Sequence, residues 1–133
     1  VSENYVLDSS AILTLIEKES GDEQVKQILR TQSVFIPWIA LTELLYITTR
    51  EKGPKDAETR YALIKNTNST ILWDSNEELM FTAAHLKSHY RISFADSLIA
   101  AYAIQLNAIL VHKDPEMESL NDKVRMEMLP FKK

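Results

Sequence analysis

Four carboxylates stand out by position: Asp8, Glu43, Asp96 and Asp114. Asp8 ends the short apolar run from Asn4 to Leu7. Glu43 is the only charge between Val34 and Thr49. Asp96 follows Ser93 by three residues at the mouth of an apolar helix, and Asp114 follows the apolar run Ala108 to His112. Each has a local reading. Asp8 suits a helix N-cap. Asp96 suits a first turn, where the helix dipole favours an anion by about 0.3–1 kcal/mol. Asp114, before Pro115, suits a turn. Glu43 is costly to bury unpaired, so it faces either solvent or a cation. As a set they read differently. Carboxylates gathered on one edge repel, and a divalent cation relieves that repulsion. All-oxygen ligation suits Mg²⁺ or Mn²⁺ rather than Zn²⁺, and such ions handle phosphate esters.

Other chemistries lack their residues. His85 and His89 lie four apart, but no E-x-x-H pairing of a zincin accompanies them. His112 reads as a strand end beside Asp114. The chain has no G-x-x-x-x-G-K-[ST], no G-x-G-x-x-G and no G-x-S-x-G. In LDSSAIL, Ser10 stands where an aspartate-nucleophile phosphatase would carry its second Asp.

The elements that must position these acids follow from periodicity. Strands are expected at Asn4–Leu7, Val34–Ile36, Thr70–Trp73 and Ala108–Val111, with a final edge strand in Val124–Leu129. A helix from Ser10 to Glu17 takes Ser9 or Ser10 as its cap. Val25, Ile28 and Leu29 mark a second helix. Pro37 suits the first turn of a third, which Arg50 to Gly53 closes. Pro54 opens a fourth. Ser75-x-x-Glu78 reads as a capping box for a fifth, and Ser93-x-x-Asp96 opens a sixth. Met117 and Leu120 fit a helical turn. Short apolar strands alternating with helices imply a mostly parallel sheet covered on both faces. Ligands then lie beyond the carboxyl ends of the strands, so Asp8 and Asp114 are expected on one edge.

Bulk properties narrow the class. The chain has 133 residues, enough for one domain with one core. It has no Cys, which excludes disulfides and thiolate metal sites. No apolar run reaches the roughly 18–20 residues of a membrane span, and VSENYVLD lacks the pattern of a signal peptide. The net charge of −4 argues against a protein that grips nucleic acid mainly through counterion release. An enzyme acting on nucleic acid through a local patch stays open. Arg50, Lys52, Arg91 and Lys113 are candidate phosphate contacts, against an ordinary reading as solvated surface charge.

YVLDSSAIL, ALTELLYITTR and SFADSLIAAYAIQLNAILVHKD, in that order and spacing, resemble the PIN-domain family, in particular its VapC-like toxin ribonucleases. S-x-A-D-x-x-I-A-A-x-A is the most telling piece. The resemblance implies one three-layer α/β/α domain over 1–133 with a mostly parallel sheet of four to five strands. It implies a Mg²⁺- or Mn²⁺-dependent endoribonuclease whose metal-holding acids match Asp8, Glu43, Asp96 and Asp114. A further acid matches Glu116. As a semi-buried carboxylate, expected to have a raised pKa before metal binds, Glu43 is also a candidate water-positioning base. A hydroxyl beside the first Asp matches Ser9 or Ser10. It also implies a cytoplasmic toxin, a homodimer and a protein antitoxin. The apolar faces around Leu13, Ile16 and Trp38 serve either a dimer or the core. Two departures are visible: His112 stands where the family has Thr or Ser, and Met117 where it has an aromatic. A PIN-like domain kept only for RNA binding or assembly, an RNA-processing nuclease outside a toxin–antitoxin pair, and a structure-specific DNA nuclease are the alternatives.

Overall fold

The computed structural model describes residues 3–131. The domain expected over 1–133 therefore includes Val1, Ser2, Lys132 and Lys133, which lie outside the described residues. Five strands form the sheet: β1 (Asn4–Leu7), β2 (Ser33–Pro37), β3 (Thr70–Leu72), β4 (Ile109–His112) and β5 (Met126–Met128). Their order is β3-β2-β1-β4-β5, and every pair is parallel. The helices are α1 (Ser9–Ile16), α2 (Asp22–Thr31), α3 (Trp38–Lys52), α4 (Pro54–Lys65), α5 (Glu77–His89) and α6 (Phe94–Gln105). A 3-10 helix spans Pro115–Leu120.

Parallel neighbours need crossovers, and crossovers are right-handed. From β1 the chain steps one way to β2 and β3, so α1 to α4 cover one face. From β3 it returns past β1 to β4, so α5 and α6 cover the other. This is a three-layer α/β/α arrangement. The central strands are sandwiched and read as unbroken apolar runs: Val6, Leu7, Leu110 and Val111 are all buried. Their faces meet Ala11 and Ile12 of α1, Ala40, Leu41 and Leu44 of α3, and Ile99 to Ala103 of α6 in one apolar cluster.

Asp8, one of the candidate caps, takes that place on α1 rather than Ser9 or Ser10, its side chain accepting from the Ala11 N–H. Both serines fall inside the helix, which leaves their hydroxyls for other partners. Asn76, not Ser75, caps α5: its Oδ1 accepts from the Leu79 N–H at 2.8 Å and from Gln105 Nε2 at 3.1 Å. Asn caps as well as Ser, and the second bond fixes it here. Pro37 is the last residue of β2, paired with Leu72 of β3, and its extended ψ of 144° places it before the first turn of α3. Gly53 ends α3 with φ +98°, a left-handed conformation that glycine adopts without a side-chain clash. Leu13 and Ile16 pack partly against the core, whereas Trp38 is exposed.

Candidate functional site

β1 and β4 are adjacent, yet the chain leaves them in opposite directions. The crevice beyond their carboxyl ends is the topological switch point, the place where open α/β sheets bind ligands. Asp8 sits there, one residue past β1, and its N–H donates to the Val111 carbonyl at 3.2 Å. Leu7 pairs with Val111, so Asp8 and His112 lie level on neighbouring strands.

Asp8 is 3% exposed. Its Oδ1 accepts from the Ser10 hydroxyl at 2.7 Å and from the Ala11 N–H at 2.9 Å. Burial pushes its pKa up to about 7. The two hydrogen bonds oppose that rise, and the negative charges of Asp96 and Glu43 add to it. Asp96 lies in the first turn of α6, where the Ser93 oxygen caps its N–H at 3.0 Å. Its pKa is raised to about 6, first by burial and then by Glu43, with Asp114 adding to the rise, and the Ser93 hydroxyl opposing it. Glu43 projects from α3 and is half-buried. The Ser9 hydroxyl donates to its Oε1 at 2.9 Å, which ties it to the end of β1 rather than to bulk solvent. Asp114 caps the 3-10 helix, its Oδ1 accepting from the Glu116 N–H at 3.0 Å.

Asp96 is thus within electrostatic reach of Asp8, Glu43 and Asp114, and Asp8 also of Glu43. Glu116 does not join them: its side chain is exposed, and its backbone N–H serves Asp114. Ser9 and Ser10 are both engaged, one on Glu43 and one on Asp8. The Ser10 oxygen also accepts from the Lys113 N–H at 2.9 Å, bridging the start of α1 to the segment after β4. Ser10→Ala is expected to leave that N–H unpaired and to cost about 1–3 kcal/mol. Urea unfolding measures it, and an unchanged midpoint contradicts the bridging role.

Lys113 is corrected as a phosphate contact. Its Nζ donates to the Ser20 carbonyl at 2.7 Å and pairs with Glu19 at 3.6 Å, so its charge is already engaged. Arg50, Lys52 and Arg91 remain exposed, Arg50 lying 5.5 Å from the Tyr46 ring centroid. His85 and His89 stack at 4.2 Å on the surface of α5. Sequence reasoning missed Glu118, whose Oε2 lies 2.8 Å from His112 Nε2. No signal announced that pair, because it depends on the 3-10 geometry of the intervening turn.

The donor set fits a hard divalent cation. Burial and like charge make Asp8 and Asp96 costly to ionise, raising their pKa values to about 7 and about 6, and a cation would relieve that cost. Among the described residues no three Asp, Glu or His side chains already stand close enough to hold one ion. Mg²⁺ is compatible with this, because it keeps several waters and takes only one or two carboxylates directly.

An all-parallel α/β/α domain with carboxylates at its switch point is the class of protein defined by this fold and site. The PIN-domain pattern matches residues 5–123, and the chain belongs to the PIN-domain family. Solved structures share the fold. A chain of VapBC2 from Rickettsia felis, bound to a DNA fragment from their promoter, superposes with TM-score 0.79 at 21% identity, covering 96% of this chain and 99% of that one. A chain of VapBC-1 from nontypeable Haemophilus influenzae gives 0.73 at 22%, covering 94% and 97%. The sarcin–ricin loop cleaving toxin VapC20 of Mycobacterium tuberculosis gives 0.74 at 16%, covering 95% and 99%. No curated protein sequence matches the chain.

Proposed function

We propose that this chain is a Mg²⁺- or Mn²⁺-dependent endoribonuclease that hydrolyses RNA phosphodiester bonds as the toxin of a type II toxin–antitoxin pair. The observation that carries this reading is that Asp96, beside the β1–β4 switch point, interacts electrostatically with Asp8, Glu43 and Asp114, each from a different element. Asp8, Glu43, Asp96 and Asp114 are the proposed metal-holding residues. A bound ion supplies Lewis-acid activation of water and charge neutralisation at the phosphate. Glu43, oriented by Ser9 and open on one side, positions water. Ser10 holds Asp8 in place, and Asp96 is fixed by the Ser93 cap. Glu116 has weaker support, as an exposed outer residue.

The family and the toxin-bearing neighbours support the toxin assignment and a protein antitoxin. A second copy and an antitoxin both need apolar surface. Met80, Phe81 and Phe94 are each more than half exposed and supply it on α5 and at the start of α6. A cytoplasmic location belongs to the same reading, and no described helix is long and apolar enough to cross a membrane.

The test is cleavage of single-stranded RNA and DNA with Mg²⁺, Mn²⁺ or EDTA, alongside Asp96→Asn. Wild type is expected to cut RNA with either metal, and both EDTA and the substitution to abolish cutting. An Asp96→Asn protein that leaves the wild-type product pattern sinks the reading. DNA cleavage alone favours a DNA nuclease. RNA binding without cleavage favours a silent binding module.

A further inference from the structure

We infer that His112 is a positioning residue that sets the direction of the Asp114 carboxylate. The inference rests on the metal-nuclease reading above. His112 is the last residue of β4, level with Asp8, and its side chain is fully buried. Its Nδ1 lies 3.1 Å from the Asp114 backbone nitrogen. A backbone N–H only donates, so Nδ1 is the acceptor and the ring proton sits on Nε2. That proton points at Glu118 Oε2, 2.8 Å away. One ring therefore braces both ends of the Asp114–Glu118 turn.

The bond from Nδ1 to the N–H two residues on has the pattern of an Asx or Ser/Thr turn. A ring nitrogen here does what a side-chain oxygen does in those turns. This accounts for a histidine where the resembling family has a hydroxyl. The Asp114 Oδ1 is also fixed, by the Glu116 N–H. With its backbone and one oxygen held, Asp114 is fixed in direction, and its Oδ2 carries no hydrogen bond among the described residues that competes with a cation. Glu118 is the second member of the device: as acceptor of the Nε2 proton, it keeps the ring in the tautomer that leaves Nδ1 free.

Calorimetric Mn²⁺ titration of the full chain tests this, with thermal unfolding of the same samples. His112→Phe fills the volume without an acceptor, whereas the Oδ1 of His112→Asn accepts the same N–H. The expected result is Mn²⁺ affinity weakened roughly 10- to 100-fold in His112→Phe, the range for residues that orient a ligand. His112→Asn is expected to stay close to wild type, whatever the two melting temperatures do. If His112→Phe does not fold, Glu118→Ala serves, with a smaller loss in the same direction. In metal-free wild type, nitrogen NMR is expected to find Nδ1 unprotonated and the Asp114 amide protected from exchange. A protonated Nδ1, or wild-type Mn²⁺ affinity in His112→Phe or Glu118→Ala, overturns the role alone. Wild type that neither binds Mn²⁺ nor cleaves RNA overturns the nuclease reading, and this role with it.

Discussion

Asp8→Asn is expected to give a protein that is harder to unfold and far slower at cleaving RNA. The two effects have one cause. Asp8 ionises in the unfolded chain near its ordinary 3.8, but in the fold only near 7. A group with a raised folded pKa contributes stability below its unfolded pKa and loses that contribution as pH rises through the folded one. At neutral pH and above, the ionised Asp8 therefore weighs against the metal-free fold. A shift of about three units, at about 1.36 kcal/mol each, sets a ceiling near 4 kcal/mol. Asparagine keeps the Oδ1 that caps α1 and turns an NH₂ toward the neighbouring carboxylates. A gain of about 2 kcal/mol at pH 8 is expected, and little or none at pH 4. Loss of the carboxylate is expected to lower cleavage by about 100- to 1000-fold, as for other principal electrostatic groups in active sites. Urea unfolding at the two pH values and an RNA cleavage assay check both halves. A substitution that destabilises the metal-free protein at pH 8 contradicts the assignment of Asp8 as a frustrated ligand.

Divalent metal is expected to stabilise the protein strongly above pH 7.5 and hardly at all at pH 5. Asp96, raised to about 6, and Asp8, raised to about 7, must both lose protons for the cluster to hold a cation. Below pH 6 the metal competes with two protons, so affinity is expected to fall by up to about 100-fold per unit. Above pH 7.5 that competition ends. Because ligand stabilisation follows RT ln(1 + [L]/Kd), saturating Mn²⁺ at about 100 times its Kd adds about 2.7 kcal/mol. Thermal unfolding across pH with and without Mn²⁺ measures this. Titrations in buffers of different ionisation enthalpy count the protons released. An affinity that does not vary between pH 5 and 8 rules out Asp8 and Asp96 as ligands.

Much of the architecture was legible because its signals are local. Asn4–Leu7 reads directly as a strand, and Ser93 as the cap of α6. The parallel sheet follows from uninterrupted apolar strands. The misreadings lie where two local rules competed. At Asp8-Ser9-Ser10 any of three residues can cap, and only the fold shows that Asp8 does so while the serines turn to Glu43 and Asp8. At Ser75-Asn76 the choice is decided by Gln105, almost thirty residues downstream. The positions of Asp8, Asp96 and Asp114 at element ends were legible, since such placement does not depend on side-chain direction, whereas Glu43 stood out only as a lone charge inside an apolar helix. Lys113 was not, because its backbone belongs to the site while its side chain runs to Ser20 and Glu19. Glu118 was illegible because the Pro115–Leu120 turn is 3-10, and helical spacing gives the wrong neighbours there.

The strand order has a consequence for how the protein is made. The sheet's central pair joins β1 to β4, so the Asp8–Val111 bond spans most of the chain. A nascent chain that has reached α5 carries Asp8 and Glu43 but neither Asp96 nor Asp114, and β1 has a neighbour on only one side. Contacts this distant in sequence form late and slowly. A ribosome that stalls or terminates before β4 therefore releases a fragment without its central strand pairing or its full acid set. Translation thus acts as a safety catch on the site: its full acid set exists only once β4 and Asp114 have been made.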